Sequence, residues 1–200
     1  LATIRQFKRT FKYGWIAFLP PFSYGFLESS LNGSFPVYAL RMNMDVSNVS
    51  LVLSAFAIGG ILTQLPLGML SDHYGRRKIL MTALFLGFFS FTAASFLEHS
   101  FIGLFLSFLI SGMIVGSTFS LGISYMTDLV PRDLLPTGNL LCGIFFSLGS
   151  LSGPIIGGSF IKFFEGISFF YIISTMLLAL SFIIFTYGKK TFLQLEQHHN

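Results

Sequence analysis

The chain has 200 residues, 53% hydrophobic, 17% aromatic and only 10% charged, with a mean hydropathy of +0.75. Soluble domains carry about 25% charged residues, and no water-soluble core of this size hides so much apolar surface, so an integral membrane protein remains. The net charge of +4 then reads as membrane topology, and no nucleic-acid partner is expected.

Residues 1–13, LATIRQFKRTFKY, are basic. Ile4, Phe7 and Phe11 recur at i, i+3 and i+7, with Arg5, Lys8, Arg9 and Lys12 around them. The pattern predicts a short amphipathic helix at the cytoplasmic lipid face, or the end of a linker from an upstream segment. No small-residue cleavage site follows the next apolar run, so the stretch is read as a lead-in rather than a signal peptide. The non-methionine start leads us to expect residues ahead of Leu1.

Six apolar segments are long enough to cross a bilayer as helices: roughly 14–39, 48–70, 78–97, 101–127, 137–163 and 167–187. The fold class is therefore all-α integral membrane, a six-transmembrane-helix bundle over 14–188 with a cytoplasmic tail at 189–200. Short gaps holding Asn43, Asp45, Pro131, Asp133, Pro136 and Gly138 separate the spans. Lys and Arg set the orientation. Arg5, Lys8, Arg9, Lys12, Arg76, Arg77, Lys78, Arg132, Lys189 and Lys190 fall on one side, and only Arg41 and Lys162 on the other. Ten against two places both termini and the 70–78 loop in the cytoplasm of a cell whose plasma membrane holds the chain.

The first span carries a charge at mid-depth, Glu28. An ionised group there costs roughly 2.5–3.5 kcal/mol on insertion scales, so it should face the bundle interior or a wet cavity. Tyr24 and Asn32 lie one turn to either side on the same face, and Gln64 of the second span is placed to complete a polar cavity. Desolvation penalises the charged form of a carboxyl, which makes Glu28 a candidate for proton coupling. The alternative is a protonated, hydrogen-bonded structural group; both put Glu28 inside.

Small residues form three stripes at the spacing of one helix face: Gly25, Ser29 and Gly33 on the first span, Gly112, Gly116, Ser120 and Ser124 on the fourth, and Gly149, Gly153 and Gly157 on the fifth. Helices in lipid associate through such stripes. Pro154 beside Gly153, Gly157 and Gly158 predicts a bend in the fifth span, because proline interrupts the hydrogen-bond ladder. Cys142 is the sole cysteine and allows no intrachain disulfide; His198 and His199 are read as a solvated tail. No enzyme constellation, metal-ligand spacing or phosphate loop occurs, so neither catalysis nor a cofactor nor a metal is expected.

Between the second and third spans stands GMLSDHYGRRKIL, residues 68–80, with one acid and three bases within seven residues. Gly68 allows close helix approach and Gly75 a tight turn. Asp72 is suited to a helix N-terminus, and Arg76 and Arg77 to acids on neighbouring helix ends such as Asp128. The string resembles the G-x-L-A-D-R-x-G-R-R/K-x-x-L loop of the major facilitator superfamily of secondary transporters. Gly68, Leu70, Asp72, Gly75, Arg76, Arg77 and Leu80 stand at its positions; Ser71 and His73 depart from it.

The resemblance implies half of a twelve-helix transporter, made of two inverted three-helix repeats. It implies that Gly68, Asp72, Gly75, Arg76, Arg77 and Asp128 form a latch to the other six-helix half, in the same polypeptide or a dimer partner. Gly153 to Gly158, GPIIGG, resembles the fifth-helix motif of efflux-type members, although Leu140 replaces its upstream glycine. The fourth span lacks the arginine usual in a first half, and LNGSFPVYALR is similar to second halves of bacterial efflux-like members. The function implied is proton-coupled export of a small organic solute by alternating access. The other reading is a non-transporting membrane scaffold that keeps the half fold.

Overall fold

The first turns of the chain already show how the sequence resolves its apolar excess. We describe it from a computed structural model that gives the backbone of residues 1–199 and side chains through Gly188. The side chains of the 189–200 tail, including His198 and His199, lie outside the described residues. Helix α1 (Ala2–Gly14) is the expected amphipathic helix, but its apolar face is not given wholly to lipid. Thr10 is buried, and Phe11 stacks on Phe18 and Phe145 with ring centroids 6.3 and 6.2 Å apart. Ile4, at the far end, stays well exposed.

The first predicted span is not one regular helix. A 3-10 turn (Trp15–Phe18) leads into α2 (Leu19–Ser29), a wide π-helical turn (Ser30–Ser34) and α3 (Phe35–Arg41). Proline explains the break: Pro36 has no N–H for the carbonyl of Asn32, and its ring crowds that carbonyl, which the wider turn relieves. The fourth span is interrupted too. Helix α6 (Phe101–Val115) and α7 (Thr118–Leu129) are separated by Gly116 and Ser117. Each interruption carries one serine, Ser30 and Ser117, whose buried hydroxyl has no hydrogen-bond partner among the described residues.

The other spans run unbroken as α4 (Val46–Tyr74), α5 (Arg76–Leu97), α8 (Leu135–Phe163) and α9 (Phe170–His199). Helix α8 continues as one helix through Pro154, and the changes of helix type lie in the first and fourth spans. Among the described residues, five stretches are long and apolar enough to cross a membrane as helices: α4, α5, α6 with α7, α8 and α9. The sixth crossing, residues 15–41, is the composite one.

The small-residue stripes explain which spans meet. An added Cβ at Gly25 would overlap the carbonyl of Phe146, and one at Gly149 the carbonyl of Phe22. At Gly153 it would overlap the Ser29 hydroxyl, and at Gly33 it would rest 3.6 Å from the Pro154 ring. The first and third stripes therefore pack on each other, joining α2 and the π turn to α8. The second stripe meets α4: a Cβ at Gly112 would overlap the Phe56 carbonyl, one at Gly59 the Leu109 carbonyl, and one at Gly116 the Cα of Gly60. Thr63 Oγ1 donates to the Met113 carbonyl at 2.6 Å across this seam.

Span one thus pairs with span five, span two with span four, and span three with span six. That scheme is unchanged when spans one, two and three are exchanged for four, five and six, as two related three-helix repeats require. The interrupted spans one and four are equivalent in the same exchange. At the centre, Phe35, Phe91, Phe108 and Phe170 come from spans one, three, four and six. All four are fully buried, with centroids 4.9 Å apart for Phe35–Phe108 and 5.6 Å for Phe108–Phe170, the range in which aromatic pairs attract.

Candidate functional site

A cavity of ≈ 290 Å³ opens between the composite first span and α4. Tyr24, Glu28, Asn32 and Gln64 all line it, so the polar side chains expected to share a cavity are brought together. The helical repeat explains three of them, since positions 24, 28 and 32 are successive turns of one face. Leu53, Phe56 and Ile61 of α4 supply apolar walls, and Gly60 with Gly116 makes a floor of bare backbone.

Both interruptions border this space, consistent with the rule that irregular backbone at membrane depth survives only where it lines a cavity or is buried in protein. Glu28 is partly buried, while Asn32 and Gln64 are exposed to the opening. The Asn32 amide donates to the Glu28 backbone carbonyl at 2.9 Å, and Gln64 Nε2 reaches Ser120 Oγ at 3.4 Å. Tyr24 leans on Phe146 and Phe119, with centroids 6.2 and 6.3 Å away. Polar groups and rings in one lining suit an organic solute with both kinds of surface.

The charge cluster lies at one end of the bundle. Gly75 is the single residue between α4 and α5, at φ +96° and ψ 136°, a region open almost only to glycine. This turn sets Asp72 and Arg76 one helical step apart in space, and Arg76 Nη2 donates to Asp72 Oδ1 at 2.8 Å. Arg76 Nη1 reaches both oxygens of Asp128, at the end of α7, at 3.0 Å. Asp72, Arg76 and Asp128 therefore form one cluster, and Asp72 takes a guanidinium rather than a helix N-terminus.

Arg77 does not join it. Its Nε and Nη2 donate to the carbonyls of Ile184 and Phe185 on α9, at 3.3 and 2.8 Å, and its stem fills the space left by Gly188. At Gly68 a Cβ would meet nothing within 4 Å among the described residues. Gly158 is likewise open, whereas Gly157 packs on Ser34.

The opposite end holds a cluster that sequence reading missed. Glu98, nine-tenths buried, accepts hydrogen bonds at Oε2 from Tyr38 Oη (2.8 Å) and Ser168 Oγ (2.7 Å). It joins the outer turn of the composite span to α5 and to the segment before α9. These partners lie 60 and 70 residues away in sequence, and the one local signal is an acid ending an apolar run.

The comparisons with known proteins bear on these features together. The sequence profile of the Major Facilitator Superfamily matches residues 18–194. The chain is 51% identical over 189 residues to the uncharacterized MFS-type transporter YfkF of Bacillus subtilis, covering 94% of this chain and 47% of that protein. It is 30% identical over 191 residues to the bicyclomycin resistance protein homolog of Haemophilus influenzae, covering 91% of this chain and 46% of the relative. It also matches the arabinose-proton symporter of Bacillus subtilis, 33% identical over 131 residues, or 63% of this chain and 27% of that one. The chain spans about half the length of the first two of these relatives. An all-helical bundle with paired three-span repeats, the Gly75 turn with its Asp72–Arg76–Asp128 cluster, and these matches agree: the chain belongs to the Major Facilitator Superfamily.

Proposed function

We propose that this chain is one half of a secondary transporter that exports a small organic solute in exchange for protons by alternating access. The observation that carries the reading is the cavity, where one carboxyl at membrane depth, Glu28, shares a wall with Tyr24 and Asn32 and has Gln64 of α4 in the same lining. A carboxyl so placed is suited to a coupling role, since an ionisable group at membrane depth is costly unless it faces a wet cavity or a partner. A non-transporting scaffold has no need of such a group in an open cavity.

The least buried of the five long apolar stretches are α4 and α8, the pair related by the internal repeat, and they present Ile61, Leu65, Leu151 and Ile155 outward. In this reading the second six-helix half covers part of that face, closing the cavity and meeting Gly68 and Asp72. The export direction draws support from the relative named for bicyclomycin resistance and the GPIIGG string, and proton coupling from the relative named a proton symporter. The basic end, with both termini, faces the cytoplasm, and the protein resides in the plasma membrane.

The test uses the full-length protein in liposomes with an imposed pH gradient and an internal pH dye. Bicyclomycin, arabinose, xylose and riboflavin are offered in turn as probes. Solute-dependent proton movement is expected with at least one, abolished by Glu28→Gln while equilibrium exchange persists. Solute flux that proceeds with no proton movement would remove the coupling, and no flux with any probe would favour the scaffold.

A further inference from the structure

A second recess lies on the opposite flank of the bundle. Between α5 and α9 is a groove of ≈ 290 Å³, lined by Met81, Thr82 and Phe85 on one side and Leu178, Phe182 and Phe185 on the other. Ser181 sits in it, but its hydroxyl is already donated to the Met81 carbonyl at 2.9 Å, and Thr82 is the other hydroxyl on the wall. Phe85, Leu178, Phe182 and Phe185 keep 37–64% of their surface exposed. The solute cavity is lined from spans one, two and four and shares none of these residues.

The groove has a charged mouth. Lys78, Met81, Thr82 and Phe85 fall at i, i+3, i+4 and i+7, on one face of α5, and Lys78 is exposed. Met81 is three residues from Lys78, about 4.5 Å along the axis. On the other wall, the carbonyl of Phe185, a lining residue, accepts from Arg77 Nη2 at 2.8 Å. A neutral carbonyl leaves the guanidinium charge in place. Among the described residues, no acid pairs with either Arg77 or Lys78. From Phe185, whose carbonyl Arg77 holds, to Leu178 the apolar wall runs about 10 Å along the helix, away from two uncompensated bases.

A cation pair at the interface above an apolar slot matches one molecular shape: an anionic head with a hydrocarbon tail. Basic pockets between transmembrane helices bind acidic lipid head groups on this principle. We propose that the α5–α9 groove seats one acidic phospholipid, with an acyl chain between Phe85 and Phe182 and its phosphate held by Arg77 and Lys78. A neutral or zwitterionic lipid fits the slot but leaves the charge of the mouth unmatched.

The test takes the full-length protein in mixed micelles containing phosphatidylglycerol and phosphatidylcholine, and counts retained lipids by native mass spectrometry. A photoactivatable phosphatidylglycerol with its reactive group in the acyl chain locates them. One phosphatidylglycerol is expected to survive delipidation in preference to phosphatidylcholine, with adducts on peptides covering residues 81–85 and 178–185. Leu178→Trp fills the slot and should lower that occupancy about tenfold, with Thr82→Phe as the second filling variant should the first fail to fold. Lys78→Gln should erase the preference for phosphatidylglycerol while adducts to the groove persist. Equal retention of the two lipids by the unaltered protein, adducts confined to other helices, or undiminished occupancy in both filling variants would overturn the proposal.

Discussion

At the scale of single residues, burial and backbone geometry separate groups that hold the fold from groups that face a moving partner. Asp72 is 66% exposed and Asp128 45%, and exposed ion pairs contribute roughly 0–1 kcal/mol. Asp72→Asn should therefore leave the melting temperature of the full-length protein nearly unchanged. It should shift the inward/outward balance, read by distances between spin labels on the two halves; an unshifted balance reduces the cluster to an ordinary loop. Gly75 is the contrary case. Its φ of +96° strains any other residue by about 1–3 kcal/mol, so Gly75→Ala should lower thermal stability in detergent as well as transport. Glu98, bonded to Tyr38 and Ser168, is a structural carboxyl. Hydrogen bonds to a charged group are each worth about 1.5–3 kcal/mol, and Glu98→Ala should show that loss as a lowered melting temperature, without altering coupling.

At the scale of elements, the sequence is most informative where a single helix face carries the signal. Helical spacing alone groups Tyr24, Glu28 and Asn32, and the glycine stripes stand out because one face repeats every turn. It is least informative where two distant segments share the work. By spacing Gly116 belongs to a packing stripe, yet it also ends α6 and floors the cavity, because its partner Gly60 belongs to another span. Proline acts differently in two spans: α8 stays one helix through Pro154, while Pro36 accompanies the π turn across 30–34. Restoring the missing donor with Pro36→Ala should let that turn tighten to regular helix. The variant is expected to melt higher and transport more slowly; full transport speed with a regularised span would mean the wide turn serves packing alone.

At the scale of the whole molecule, the two ends of the bundle are assembled from contacts far apart in the chain. Arg76 with Asp128 marks one end, and Tyr38 with Glu98 and Ser168 the other. Charge counting sorts the loops into the same two groups, which is why the transverse arrangement is legible in the sequence. Its sidedness is open to a labelling experiment, since Cys142 is buried and the only native cysteine in the chain. In whole cells, a cysteine at Asn43 should react with a membrane-impermeant thiol reagent, and one at His73 only with a permeant one. The reverse pattern would invert the orientation. The pairing of spans carries a further consequence, for how the protein is made. Each glycine seam joins a helix of the first repeat to one of the second, so neither repeat closes its own. The first three of these spans to leave the ribosome hold Gly25 and Gly59 without their seam partners until α6 and α8 arrive. These two seams therefore cannot close until the second repeat has been synthesised.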